Sequence, residues 1–161
     1  MIMAAGDIYI FAGFHEKLAD GTITMDLDST TVKLALFRAS LTAAIGAGLS
    51  YYGSATAQEV TASSGAAYPT AGVALTTASV TTSSSFIYYR ASNVTFAQDA
   101  SGFTNARWGL LYLEKSTPGT SPVMGLLDLG SAQSNVSAAL NINWATGRKI
   151  LKISGTAMPA L

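Results

Sequence analysis

The only imidazole in the chain, His15, stands next to Glu16, and a general base built on it would require an orienting partner and a nucleophile within hydrogen-bond reach. No serine lies in a Gly-x-Ser-x-Gly elbow, and there is no cysteine. Thiol catalysis, disulfides and cysteine-based zinc sites are therefore excluded. His15-Glu16 is read as a pair on a helix surface or at a helix–sheet boundary. Asp20, Asp26 and Asp28 could gather oxygens around Ca²⁺, but their spacing lacks the EF-hand pattern and its closing glutamate. They are read as loop carboxylates and turn formers, with Asp28, Ser29 and Thr30 shaping the approach to a strand through local side-chain to backbone bonds. The three glutamates, Glu16, Glu59 and Glu114, are scattered, so no carboxylate pair for glycoside chemistry is visible. Gly46-Ala-Gly48 lacks the remainder of any phosphate-binding loop. The sequence offers no catalytic residue, cofactor site or metal site, and it is read as that of a protein that is not an enzyme.

The aromatic pairs Tyr51-Tyr52 and Tyr88-Tyr89 are the other residues with recognition chemistry. Consecutive strand residues face opposite ways, so each pair should give at most one buried and one presented ring. Glu59 is the only charge between residues 39 and 89. Tyrosine among Ser, Gly and Ala in so neutral a stretch is what covered surface looks like, which makes Tyr51, Tyr52 and Tyr68 the candidate interface residues. Across the 161 residues, nine Lys+Arg balance nine Asp+Glu, which argues against a nucleic-acid groove or an anionic-membrane binder. Charged residues are 11% of the chain against a usual ~25%, and a surface that poor in charge is sparingly soluble unless part of it is covered. Composition thus favours a building block over a catalyst.

The uncharged stretches 39–58 and 60–89 are long enough to raise a membrane span, yet Ser, Thr, Gly and Gln interrupt them every few residues, so none is expected. Residues 1–14 have no basic region and include Asp7, which makes a poor secretory signal. Without one, Asn93-Val-Thr95 and Asn135-Val-Ser137 are chance matches to the glycosylation acceptor.

The elements that must carry these residues are one helix followed by strands. A helix is expected over 7–20, with Asp7 as cap, Ile8, Phe11, His15 and Leu18 on one row, and Gly21 as the left-handed stop. From residue 31 the period changes to two. Val32, Leu34 and Leu36 alternate with Lys33, Ala35 and Phe37 over 31–38. Further strands are expected near 58–62, 72–82, 85–90, 93–97, 106–115, 123–129, 136–144 and 149–154. In 136–144 the inward row is Val136, Ala138, Leu140, Ile142 and Trp144, whereas 107–113 is apolar on both faces around Gly109, as for a strand covered twice. Residues 39–53 are read as loop with a helical turn. The whole, 1–161, is expected to be a single mainly β domain, an antiparallel sandwich or barrel with one N-terminal helix over 7–20, strands across 31–154 and a charge-poor segment at 39–89.

The order of these features resembles a group of small tailed-bacteriophage virion proteins. Leu18-Ala-Asp-Gly-Thr-Ile-Thr-Met-Asp-Leu-Asp-Ser-Thr-Thr-Val-Lys-Leu-Ala-Leu36 is similar to their helix, Gly-containing turn and Asp-rich lead into a strand. Tyr68-Pro-Thr-Ala-Gly-Val-Ala-Leu75, Asn93-Val-Thr-Phe96, Ala106-Arg-Trp-Gly-Leu-Leu-Tyr112, Leu126-Leu-Asp-Leu-Gly130 and Leu140-Asn-Ile-Asn-Trp144 follow in the same order. The resemblance spans roughly residues 7–154, and it departs at the Ala/Ser/Thr-rich stretch 39–67. It implies a multi-copy structural protein of the virion, made in the host cytoplasm. The first choice is a capsid decoration or cement protein whose partners are the major capsid protein or copies of itself, with neither nucleic acid nor membrane involved. The alternative is a tail or baseplate component, or a receptor-binding module.

Overall fold

Period-two alternation of large apolar residues sets the strands, and the structure, a computed structural model, describes residues 2–4, 8–23, 27, 31–42, 48–62, 67–83, 86–144 and 149–154. In chain order the elements are β1 (Ile2–Ala4), β2 (Ile8–Ile10), α1 (Ala12–Ala19), β3 (Val32–Phe37), β4 (Val73–Ala74), β5 (Ser79–Ser83), β6 (Phe86–Arg90), β7 (Val94–Phe96), β8 (Ala106–Leu113), β9 (Val123–Gln133), β10 (Leu140–Asn143) and β11 (Lys149–Ser154). Short 3-10 turns lie at Tyr52–Ser54, Thr56–Gln58 and Pro118–Thr120. The strands form a five-stranded sheet, β2-β9-β8-β3-β4, and two three-stranded sheets, β1-β10-β7 and β11-β6-β5. Their pairing is antiparallel except between β1 and β10. The fold is mainly β and sandwich-like with one N-terminal helix, as the alternation predicts.

The main core lies between the sheets. Val32, Leu34, Leu36, Leu111, Leu113, Met124, Leu127 and Leu129 of the five-stranded sheet meet Tyr89, Val94, Phe96, Leu140, Ile142 and Ile150 from the smaller two and Trp144 just beyond β10. The opposite face of the large sheet is also buried. There Ala35, Phe37, Leu110, Tyr112, Val123 and Leu126 pack under Leu41, Leu49, Tyr52 and Ala55. The strand β8 is therefore covered twice, as 107–113 suggested. Part of the charge-poor stretch is its second cover, which explains the lack of charge there: carboxylates and ammonium groups in that position would have to be paired or would suffer desolvation.

Four expectations are corrected. The helix spans Ala12–Ala19 and not 7–20, because Ile8, Tyr9 and Ile10 pair with Leu127, Leu126 and Gly125 as an edge strand. A short run of β-branched and aromatic residues satisfies either period, and here the neighbouring strand decides. Phe11 is the residue before the helix, with an extended backbone and no side-chain cap, and Asp7 lies outside the described residues. Gly21 does stop the helix, at φ +73°. Residues 58–62 form no strand; Glu59 makes an isolated bridge to Phe37 after two 3-10 turns. The run 72–82 is split into β4 and β5 around Thr77, whose φ is +49°. Lastly, 136–144 is strand only from Leu140: Val136 is half-buried and Ala138 exposed, while Leu140, Ile142 and Trp144 are buried as expected. The short Ala and Ser side chains at 137–139 gain too little from burial to hold the earlier residues on the ladder.

Leu140 sits in the core against β7, paired with Phe96. Leu140→Ala should lower the unfolding free energy by about 3 kcal/mol, within the usual range for a buried leucine. A denaturation midpoint that does not move would mean that this strand's faces are inverted.

Candidate functional site

Glu59 is the residue the neutral segment is built around. The 3-10 turns at 52–58 carry the chain across the end of β3, where Phe37 bridges Glu59 and the Val60 amide donates to Leu36 O at 2.9 Å. That places the carboxylate inside, at 5% exposure. Its Oε2 accepts from the Tyr52 hydroxyl at 2.5 Å, and its Oε1 accepts from the Tyr68 hydroxyl at 2.6 Å and from the Ala71 amide at 2.9 Å. The Tyr68 oxygen accepts in turn from the Leu36 amide at 2.9 Å. From β8, Tyr112 stacks on Tyr52, ring centroids 4.4 Å apart and planes at 10°, and donates to Ala71 O at 2.6 Å. Three donors on one buried carboxylate compensate much of the desolvation that an isolated charge would suffer. Ala71 has φ +70°, a conformation costly for an L side chain, and both its amide and its carbonyl are held by this network. The arrangement ties three separate stretches, 52–60, 67–72 and β3, to one point.

Burial comes first, and then Glu59, in raising the Tyr52 and Tyr68 hydroxyls far above the ordinary tyrosine value; Tyr112 is also raised, by burial and then by the charges of Glu114 and Glu59. A raised folded-state value means stability that is intact below about pH 10, the unfolded tyrosine value, and is lost as the pH climbs above it. In an alkaline titration, Tyr52, Tyr68 and Tyr112 should therefore ionise only with unfolding. We expect a late, steep rise in tyrosinate absorbance that coincides with loss of near-ultraviolet dichroism. One smooth titration of all seven tyrosines near the ordinary value, with the fold intact, would contradict the network.

The candidate interface residues are thus separated. Tyr52 and Tyr68 are core, 2% and 3% exposed, and present no ring to a partner, which corrects the reading of them as interface. Their hydroxyls explain the choice of tyrosine over phenylalanine. Tyr51 remains half-exposed, as the alternation within the pair predicts, with Lys17 Nζ 5.4 Å from its ring centroid. It lines an open groove of about 650 Å³ with Thr22, Ile23, Lys115, Ser116 and Thr120. The second pair differs from expectation: Tyr88 and Tyr89 are both buried, because basic side chains cover the outward ring of Tyr88.

The chemistry candidates fall apart in space. His15 is exposed on α1, and Asp20 is exposed with its carboxylate turned back onto Thr22, whose side-chain hydroxyl and then amide lower its pKa by hydrogen bonding. Asp26 and Asp28 lie outside the described residues. Among the described residues no group of three or more His, Asp or Glu is placed to hold a metal ion. No described helix is long and apolar enough to cross a membrane. Asn135, a glycosylation match in sequence, is buried with both polar side-chain atoms engaged inside. Its Oδ1 accepts from the Phe103 amide at 2.8 Å, and its Nδ2 donates to Ala67 O and Ala97 O at 3.2 and 2.9 Å. Glu59 carried one signal in sequence, its isolation in a neutral stretch; Asn135 carried none. No protein-family model, curated protein or solved structure matches the chain.

Proposed function

We propose that this chain is a non-enzymatic structural component of a tailed-bacteriophage particle, first of all a capsid decoration or cement protein bound to the major-capsid lattice. What supports the reading is the order of sequence features, which resembles that of such virion proteins. Three of those features, 32–36, 106–112 and 126–130, fall on β3, β8 and β9, adjacent strands of the large sheet. The resemblance therefore lies in the part of the chain that specifies the fold. The buried polar groups support a structural role as well: Glu59 and Asn135 are spent on holding loops against the sandwich, as suits a protein whose task is a stable shape. A tail, baseplate or receptor-binding part would share these features.

Copy number separates the two placements. Quantitative mass spectrometry of purified particles should find hundreds of copies per particle for a cement protein, against tens or fewer for a tail part. Absence from purified particles would reject both.

A further inference from the structure

The outward face of the sheet β11-β6-β5 collects three cations. Phe86, Tyr88 and Arg90 share that face of β6, because Tyr89 between them is in the core. Lys149 and Lys152 of β11 stand opposite Arg90 and Tyr88. Residues three apart in a regular strand would face opposite ways. Here the register shifts between Lys149 and Leu151, so that Ile150 and Leu151 both turn to the core and both lysines turn out. Lys149 Nζ and the Arg90 guanidinium lie 4.2 and 5.5 Å from the centroid of the Tyr88 ring, and Lys152 Nζ lies 3.7 Å from that of Phe86. Among the described residues the ion pairs are Lys33–Glu114 and Arg107–Asp128, so none of these three cations has a carboxylate partner. Arg90 Nε and Thr81 Oγ1, neighbours on the same face, are buried without a hydrogen-bond partner.

We infer that this face docks an acidic segment of a partner protein, with carboxylates received by Arg90, Lys149 and Lys152. Charge complementarity selects the occupant: three like charges brought together on rigid strands repel one another until an anion joins them. Arg90 and Lys149 form one cross-strand row and Lys152 belongs to the next on that face. Two carboxylates two residues apart on an extended segment, about 7 Å, span those rows. A single-stranded nucleic acid fits less well, because its sequence-tolerant affinity comes from bases stacked on open rings, and Tyr88 is buried, 8% exposed, beneath its two cations. The inference gives the proposed particle protein a binding face, yet it rests on the sheet itself and can stand or fall separately.

The test is a nuclear magnetic resonance titration of the isotope-labelled full chain with acetylated hexaglutamate at low salt, with oligothymidylate of equal length as comparator. Amide shifts should be saturable, confined to 86–90 and 149–152, and weakened by salt. The variant K149Q/K152Q should bind about tenfold more weakly while keeping its thermal midpoint. K152Q alone, at an exposed position, keeps the comparison open should the double variant not fold. Absence of shifts on this face, shifts centred instead on the Tyr51 groove, or tighter binding of oligothymidylate would each overturn the inference. Hexaglutamate binding by a protein absent from particles would retain this inference and reject the particle reading; a particle protein indifferent to hexaglutamate would do the reverse.

Discussion

Glu59→Ala is expected to lower the unfolding free energy by about 4–6 kcal/mol, since three buried donors lose a charged acceptor and each stranded donor costs about 1–3 kcal/mol. The donors are the hydroxyls of Tyr52 and Tyr68 and the amide of Ala71. Two further consequences follow from the same geometry. Tyr68 also accepts from the Leu36 amide, so a shift of its ring disturbs the end of β3, and Ala71 loses one of the two bonds that hold its positive φ. Glu59→Gln keeps the volume and one good acceptor and lets a tyrosine oxygen accept from its new amide, so it should cost only about 1–2 kcal/mol. Chemical denaturation of both variants reads the difference. Equal, small losses would mean that the carboxylate is not what holds the three stretches together.

Gly72→Val is the second large effect. Gly72 has φ +72°, and a Cβ there would overlap the Leu34 carbonyl oxygen and come within 2.6 Å of Ala35 Cα, both main chain of β3. A β-branched residue in the left-handed region costs about 1–2 kcal/mol, and overpacking against atoms that cannot rotate away adds about 1–3 kcal/mol, for about 4 kcal/mol in all. The same substitution at Gly21, whose φ is +73° but whose missing Cβ would meet nothing within 4 Å, isolates the conformational part and should cost about 1–2 kcal/mol. Thermal denaturation of the pair tests whether the 69–72 turn is pressed onto the sheet. Losses of equal size would contradict that packing.

Much of the sandwich was legible because apolar period is a direct consequence of burial. Strand 32–37 and the doubly covered 107–113 follow from counting faces, and Gly21 from the need for a positive φ. Legibility ended where two periods fit the same residues, as at Ile8–Ile10, and where the decisive partner was remote in sequence. Nothing local to Glu59 announces two tyrosine hydroxyls, and nothing in Lys149-Ile-Leu-Lys152 announces the register shift that brings both lysines to one face. The neutral stretch was legible as covered surface; that its own sheet lies beneath it was not, because composition cannot distinguish a cover of the same chain from a partner.

Residues 52–60 and 67–72 of the neutral segment are held against the chain's own sheet, and the docking face proposed above is the cationic side of β11-β6-β5. Hydrogen exchange measured on the free protein and on intact particles tests this arrangement most directly. We predict that 52–60 and 67–72 exchange slowly in both states, and that 86–90 and 149–152 gain protection only in the particle. Fast exchange of 52–60 and 67–72 in the free protein, with protection arising there alone on assembly, would contradict the account and move the docking face to those two stretches.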